Sequence, residues 1–371
     1  MRVVVTTFPS YGHFHPVAPL ALALREAGHD VQVATDAGFG RWVEACGLPV
    51  LPAGRPQAEM VAQAASFPSA ERAVRLFTTV STPPFARDLL RAAVEWQPDL
   101  VVSEEAEYAG PLVASMLGLP CATHSWPGPA RPADERAARV GSLVDVWREF
   151  GQREPPRLYG RPYLDCCPPP LQSDAIEGID GLVTVRPVLF DGPPGATSPL
   201  VDDVVHPVVF MTLGTVPLFA RPEMLRLIAE SVAPSAGTVI VATGPHVETV
   251  VPAQPGVRVA RYVPLSAVLP VTDLVISHGG AGTTVACVLM GVPHLVIPQG
   301  APSQDRSATS VERLGVGLSL LDRPVTSATI AAATAQLLHD SGVRERIDAV
   351  RATLDRLPGP DEVVGQLEAL G

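Results

Sequence analysis

"TDLVISHGGAGTTVACVLMGVPHLVIP", residues 272–298, carries a complete structural unit in one line. Residues 274–277 form a short apolar run rich in β-branched side chains and bounded by turn residues, the mark of a buried strand. His278, Gly279, Gly280, Ala281 and Gly282 then make a turn, Thr283 and Thr284 open a helix, and a second apolar run follows before Pro298. Strand, glycine turn, helix and strand together are the βαβ unit of a parallel sheet. Glycines let the backbone come close to a ligand. A helix start offers unpaired N–H groups and about half a positive charge, which suits a phosphate. The alternative is a tight turn whose glycines serve only packing.

The same pattern extends in both directions. "PVVFMTLGT" (207–215) reads as another buried strand, ending in Gly214 and Thr215 at the same sheet edge. Helical spacing covers 222–233, and "GTVIVAT" (237–243) and "VRVARYVP" (257–264) read as strands. A helix near 305–314, two more across 327–356 and a short one in 360–370 complete this half. At the other end, residues 2–7 form a strand and "SYGHFHP" (10–16) follows it. Pro16 is read at the first turn of a helix, where proline is tolerated. Val17, Leu20, Ala21 and Leu24 supply its buried stripe, Gly28 closes it, and "HDVQVAT" is the next strand. Residues 98–126 repeat the unit. Residues 127–172 are poor in strand signals and read as helices and loops, and 176–190 hold a further strand.

The stretch 191–204 runs Gly-Pro-Pro-Gly with little apolar periodicity and reads as the connection between halves. The expected organisation is therefore an α/β chain of two parallel-sheet domains wrapped in helices. The bounds are 1–195, a linker at 196–204, 205–357, and a terminal segment 358–371 whose helix can pack back on the first domain.

Composition narrows the function. The 371 residues are 47% hydrophobic and 18% charged, which fits a well-buried globular chain, and the net charge of -11 argues against a nucleic-acid partner. The sequence contains no Lys and no Asn. Without Lys there is no Walker-type phosphate loop and no Schiff-base lysine. The five cysteines show no metal-ligand spacing, so no metal site is expected, and their odd number suggests reduced thiols. The apolar start is too short for a leader or a membrane span, so a cytoplasmic location without membrane contact is expected.

"SYGHFHP" raises the question of proton transfer. Gly12 permits close approach, and His13 sits at the carboxyl end of the first strand. A helix N-terminus disfavours the cationic imidazole, which keeps His13 neutral and able to take a proton near pH 7. A base needs a partner that orients its ring. Glu104 ends the strand of residues 100–103 and, since parallel strand ends share one edge, is placed to reach His13. The alternatives are a packed or solvated His and a solvated acidic loop.

Four stretches, "YGHFHP", "FMTLGT", "RYVPLSAVLPVTDLVISHGGAGTT" and "GVPHLVIPQGAPSQDRSA", resemble the family 1 nucleotide-diphosphate-sugar glycosyltransferases of the GT-B fold. The closest likeness is to the actinobacterial branch that decorates antibiotics and other natural products. The resemblance implies two facing Rossmann-like domains with a cleft between them. It implies His13 as catalytic base and Glu104 where the family often has an Asp holding that His. It places the donor diphosphate at His278 and the turn from Gly279 to Thr283, with Gly214 and Thr215 beside it. Tyr262 and Val263 match a Trp-Val pair at the nucleobase, and Ser10 matches a small residue near the phosphates. Ser303 stands where the family commonly has a sugar-binding Asp, while Gln304 is retained. The missing carboxylate suggests a deoxysugar donor carried on TDP, with Asp305 as a substitute only if the loop shifts.

The implied reaction is inverting and metal-independent, with no cofactor beyond the nucleotide sugar and a small-molecule acceptor. Phe67, Phe77, His124 and Trp126 are candidates to contact that acceptor, and a homodimer stays open. Two rivals share the fold: a nucleotide-sugar 2-epimerase, and a non-catalytic protein that binds a sugar nucleotide or a partner. A nicotinamide dehydrogenase is disfavoured because no GxGxxG follows the first strand.

Overall fold

Val3, Val4 and Val5 are all buried, so both faces of the first strand are covered, as the unbroken apolar run requires of a strand in a parallel sheet. A computed structural model describes residues 1–216, 219, 221–245, 247 and 255–371. The first sheet contains β1 (Arg2–Thr6), β2 (Asp30–Thr35), β3 (Val50–Pro52), β4 (Leu100–Glu104), β5 (Cys121–His124), β6 (Tyr163–Asp165) and β7 (Leu182–Thr184). Its order is β3-β2-β1-β4-β5-β6-β7 and every pairing is parallel. The second sheet contains β8 (Val208–Thr212), β9 (Thr238–Ala242), β10 (Val257–Ala260), β11 (Leu274–Ser277), β12 (His294–Val296) and β13 (Gly317–Ser319). Its order is β10-β9-β8-β11-β12-β13, again parallel throughout.

Both orders reverse direction once, between β1 and β4 and between β8 and β11. Open parallel sheets bind ligands at that reversal, beyond the carboxyl ends of the strands. The residues following these four strands are therefore the ones the topology brings to a site.

The helix Tyr11–Glu26 follows β1 and buries Phe14, Val17, Leu20, Ala21 and Leu24 on the first sheet. Each large apolar side chain so buried contributes about 1.5–3 kcal/mol. This helix begins at Tyr11, which corrects the start expected at Pro16. Pro16 and Pro19 lie inside it, and the Gly12 carbonyl has no N–H four residues on to accept from. A second correction concerns 127–172, where β6 joins the sheet beyond the helix Ala133–Glu149. The last helix, Val364–Glu368, buries Val364 and Leu367 in the core of the first sheet beside Tyr11–Glu26. Among the described residues no helix is long and apolar enough to cross a membrane.

Candidate active site

Ser10 ends the turn after β1 with extended backbone, and its carbonyl accepts from the His13 N–H at 3.1 Å. His13 thus occupies the first helical turn, with its ring turned toward the end of β4. Its Nδ1 lies 3.0 Å from Glu104 Oε2, and neither atom has another partner among the described residues. The other Glu104 oxygen accepts from the Ala106 N–H at 2.9 Å. A carboxylate only accepts, so Nδ1 carries the proton of the neutral ring and Nε2 holds a lone pair. The longer arm of Glu closes the dyad. Phe8, Phe77 and Trp126 surround the imidazole at centroid distances of 5.2, 5.3 and 5.0 Å.

Behind the dyad, Glu107 caps the helix Ala109–Leu117 by accepting from the Ala109 and Gly110 N–H groups at 2.7 and 2.8 Å. Desolvation is the largest influence on its carboxyl and pushes it up to about 7. Glu105 pairs with the buried Arg131. That guanidinium lies 4.3 Å over the Trp126 ring, and Glu105 also accepts from the Trp126 backbone N–H at 3.3 Å. The pair holds Trp126 against His13.

In the second half, the turns after β8 and β11 meet. A Cβ on Gly214 or Gly280 would lie 2.6 or 2.7 Å from Cε1 of His278, so the ring needs glycine on both sides. Burial pushes the His278 imidazole down to about 4, which leaves it neutral. Beneath it, the Ser277 hydroxyl meets His294 Nε2 at 2.9 Å and accepts from the Gly279 N–H at 3.0 Å. The helix Ala281–Met290 starts without a side-chain cap, so its first N–H groups remain free for an anion. Ala281, Gly282 and Thr283 line the cleft there, with Gly214 and Thr215 opposite. Gly279 does not line it: its φ is +85° and a Cβ there would strike Val296 at 2.7 Å, so it packs the turn against the helix Pro302–Leu314.

Tyr262 and Val263 line the same cleft. The Tyr262 hydroxyl donates to the Asp191 carbonyl, and its ring lies at 27° to that of Tyr11 with centroids 5.9 Å apart. Ser303 and Gln304 face the cleft from the first turn of Pro302–Leu314. Gln304 accepts from the Gln299 N–H at 2.7 Å, and its own amide nitrogen is buried without a partner among the described residues. Asp305, one position further around the helix, does not line the cleft.

One cavity joins the two halves: it is lined by Ser10, Gly12 and His13 on one wall and by His278 and Gly280 to Thr283 on the other. Arg306 of the second half pairs with Glu135 of the first at 2.8 Å. Of the acceptor candidates, His124 and Trp126 line the cavity and Phe77 walls the His13 ring. Phe67 is not brought to the site. It packs beside the cluster of Phe8, Met60 and Val80, with Arg75 5.5 Å over its ring. Sequence reasoning missed Tyr11, although it sits in the quoted motif. It also missed Asp191, whose carboxylate accepts from the Ser266 N–H at 2.6 Å and tethers the connection to the second half.

Two parallel-sheet halves facing one cleft, with ligand-binding turns at both strand reversals, define the GT-B arrangement. Residues 226–370 match the family described as erythromycin biosynthesis protein CIII-like, C-terminal domain. The chain is 33% identical to the L-demethylnoviosyl transferase of Streptomyces niveus, across 100% of this chain and 98% of the relative. It is 28% identical to the TDP-daunosamine transferase DnrS of Streptomyces peucetius, across 100% and 97%. The crystal structure of glycosyltransferase SsfS6 from Streptomyces sp. SF2575, complexed with thymidine diphosphate, superposes with a TM-score of 0.80 at 28% identity, covering 100% of this chain and 99% of that one. The chain belongs to the family of actinobacterial antibiotic glycosyltransferases, and the protein is a glycosyltransferase.

Proposed function

We propose that the protein transfers a deoxysugar from TDP to a hydroxyl of a small natural-product acceptor, with inversion at the anomeric carbon and without a metal. The observation that carries this reading is the His13–Glu104 pair at 3.0 Å on one wall of a cavity whose other wall is a glycine turn opening a helix. His13 Nε2 takes the proton from the acceptor hydroxyl as its oxygen bonds to the anomeric carbon. The bond from that carbon to the diphosphate oxygen breaks, and TDP leaves with the electron pair. A general base of this kind is typically worth about 10²–10⁴-fold in rate. The N–H groups of Ala281, Gly282 and Thr283, with His278, stabilise the charge that builds on the diphosphate.

TDP is supported by the thymidine diphosphate bound in SsfS6 and by the donor in the name of DnrS. A deoxysugar is supported by Ser303, which offers the cleft a hydroxyl where the family commonly offers a carboxylate. Titration calorimetry with TDP-deoxyhexoses and UDP-glucose tests the donor, and tighter binding of UDP-glucose overturns it. Transfer assays with and without EDTA test the metal, and loss of activity in the chelator overturns that part.

A further inference from the structure

Beside the dyad lies a second imidazole that the reaction above does not use. His124 ends β5 in direct register with Glu104 at the end of β4. Partners in register on parallel strands project to the same face, with the strands about 4.8 Å apart. His124 is therefore the neighbour of the carboxylate that holds His13. Its Nδ1 lies 2.8 Å from the Ser125 carbonyl. A carbonyl only accepts, so Nδ1 must carry the proton and Nε2 is left with a lone pair. The one hydrogen bond of the ring among the described residues is made through Nδ1, and the side chain lines the cavity. Burial holds the imidazole down to about 4, so it stays an acceptor throughout the neutral range.

This end of the cavity thus offers two hydrogen-bond acceptors, Nε2 of His13 and Nε2 of His124, beside the Trp126 ring, with Phe77 packed against the His13 imidazole. A ligand that satisfies both must bring two donors. We propose that His124 is a specificity-determining residue that accepts a hydrogen bond from a second hydroxyl of the acceptor, close to the one deprotonated by His13, so that the acceptor class is a flat apolar polyol with neighbouring hydroxyls. This rests on the glycosyltransferase reading above and adds the chemistry of the acceptor to it.

The test measures acceptor binding and needs no turnover. The probes are 1,2-dihydroxyanthraquinone and 2-hydroxyanthraquinone, titrated into the full chain saturated with TDP. One added hydrogen bond predicts that the dihydroxy compound binds about three- to tenfold more tightly. His124→Phe fills the same space without an acceptor and equalises the two constants. His124→Gln keeps an acceptor and retains most of the preference. Equal constants in the unsubstituted protein, a preference that survives in His124→Phe, or no binding of either compound overturns the inference. TDP titrated in parallel separates the two levels: if TDP fails to bind, the donor reading itself falls, whereas TDP binding with no diol preference removes only the role of His124.

Discussion

Gly214 and His278 approach each other so closely that a single methyl group on the glycine would sit 2.6 Å from the imidazole Cε1. The turns of β8 and β11 can converge on one anion only while position 214 has no side chain. Gly214 also has a φ of +83°, in the left-handed region where a Cβ costs roughly 1–2 kcal/mol. Gly214→Ala is expected to displace the His278 ring and weaken TDP binding by about tenfold or more, read by calorimetry, with the bulk of the fold intact by circular dichroism.

His13 and Glu104 separate chemistry from binding. His13→Ala is expected to lower kcat by about 10²–10⁴-fold and leave the TDP dissociation constant unchanged. Glu104→Ala removes the carboxylate that lies 3.0 Å from Nδ1 and is expected to lower kcat by about 10–100-fold, since the ring stays but loses its orientation. Equal TDP affinities with unequal turnover numbers are the signature to look for.

Replacing Ser303 by Asp restores a carboxylate at the first turn of Pro302–Leu314, where the helix dipole also favours it. The ratio of kcat/KM for TDP-glucose over a TDP-deoxyhexose is expected to rise in Ser303→Asp. A charged hydrogen bond to a sugar hydroxyl sets the scale at about tenfold or more. An unchanged ratio removes residue 303 from sugar selection.

Stability should fall on acidification. Burial pushes His15 and His294 down to about 3 and His124 and His278 to about 4, from 6.5. The unfolded chain binds these four protons below pH 6.5 while the folded chain does not. Their contribution is therefore complete above 6.5 and is lost as the pH falls toward 4. Glu107 at about 7 and Asp165 at about 6 act in the opposite sense, their stabilisation being present at low pH and lost as pH rises through those values. Asp305, raised by desolvation, also opposes, so four groups stand against three; the four imidazoles leave a net loss, and the urea midpoint is expected to be lower at pH 5 than at pH 7.5. Glu107→Gln removes one opposing group and should make the drop steeper.

The strand reversals were readable because each joins an apolar β-branched run to a local turn signal, and both features lie within a few residues. The order of strands places His13 with Glu104 and Gly214 with His278 once the sheets are parallel. Other features carry no local mark. β6 is three residues long and follows a Pro- and Arg-rich stretch, so pairing with β5 and β7 makes it a strand rather than its own composition. Pro16 looked like a helix start because proline favours that place, but burial of Phe14 fixes the helix a turn earlier. Phe67 and Phe77 were equivalent as apolar residues in sequence. Only packing turns one toward His13 and the other toward Arg75. The Arg131–Glu105 pair spans 26 positions and has no pattern to betray it.

The return of Val364–Glu368 to the core of the first sheet has a practical side for recombining such enzymes. Grafting the second half of a relative onto this chain by a single crossover near the linker would bring a foreign helix against Tyr11–Glu26. A chimera that keeps its packing needs two junctions, with the last dozen or so residues inherited from the same parent as the first.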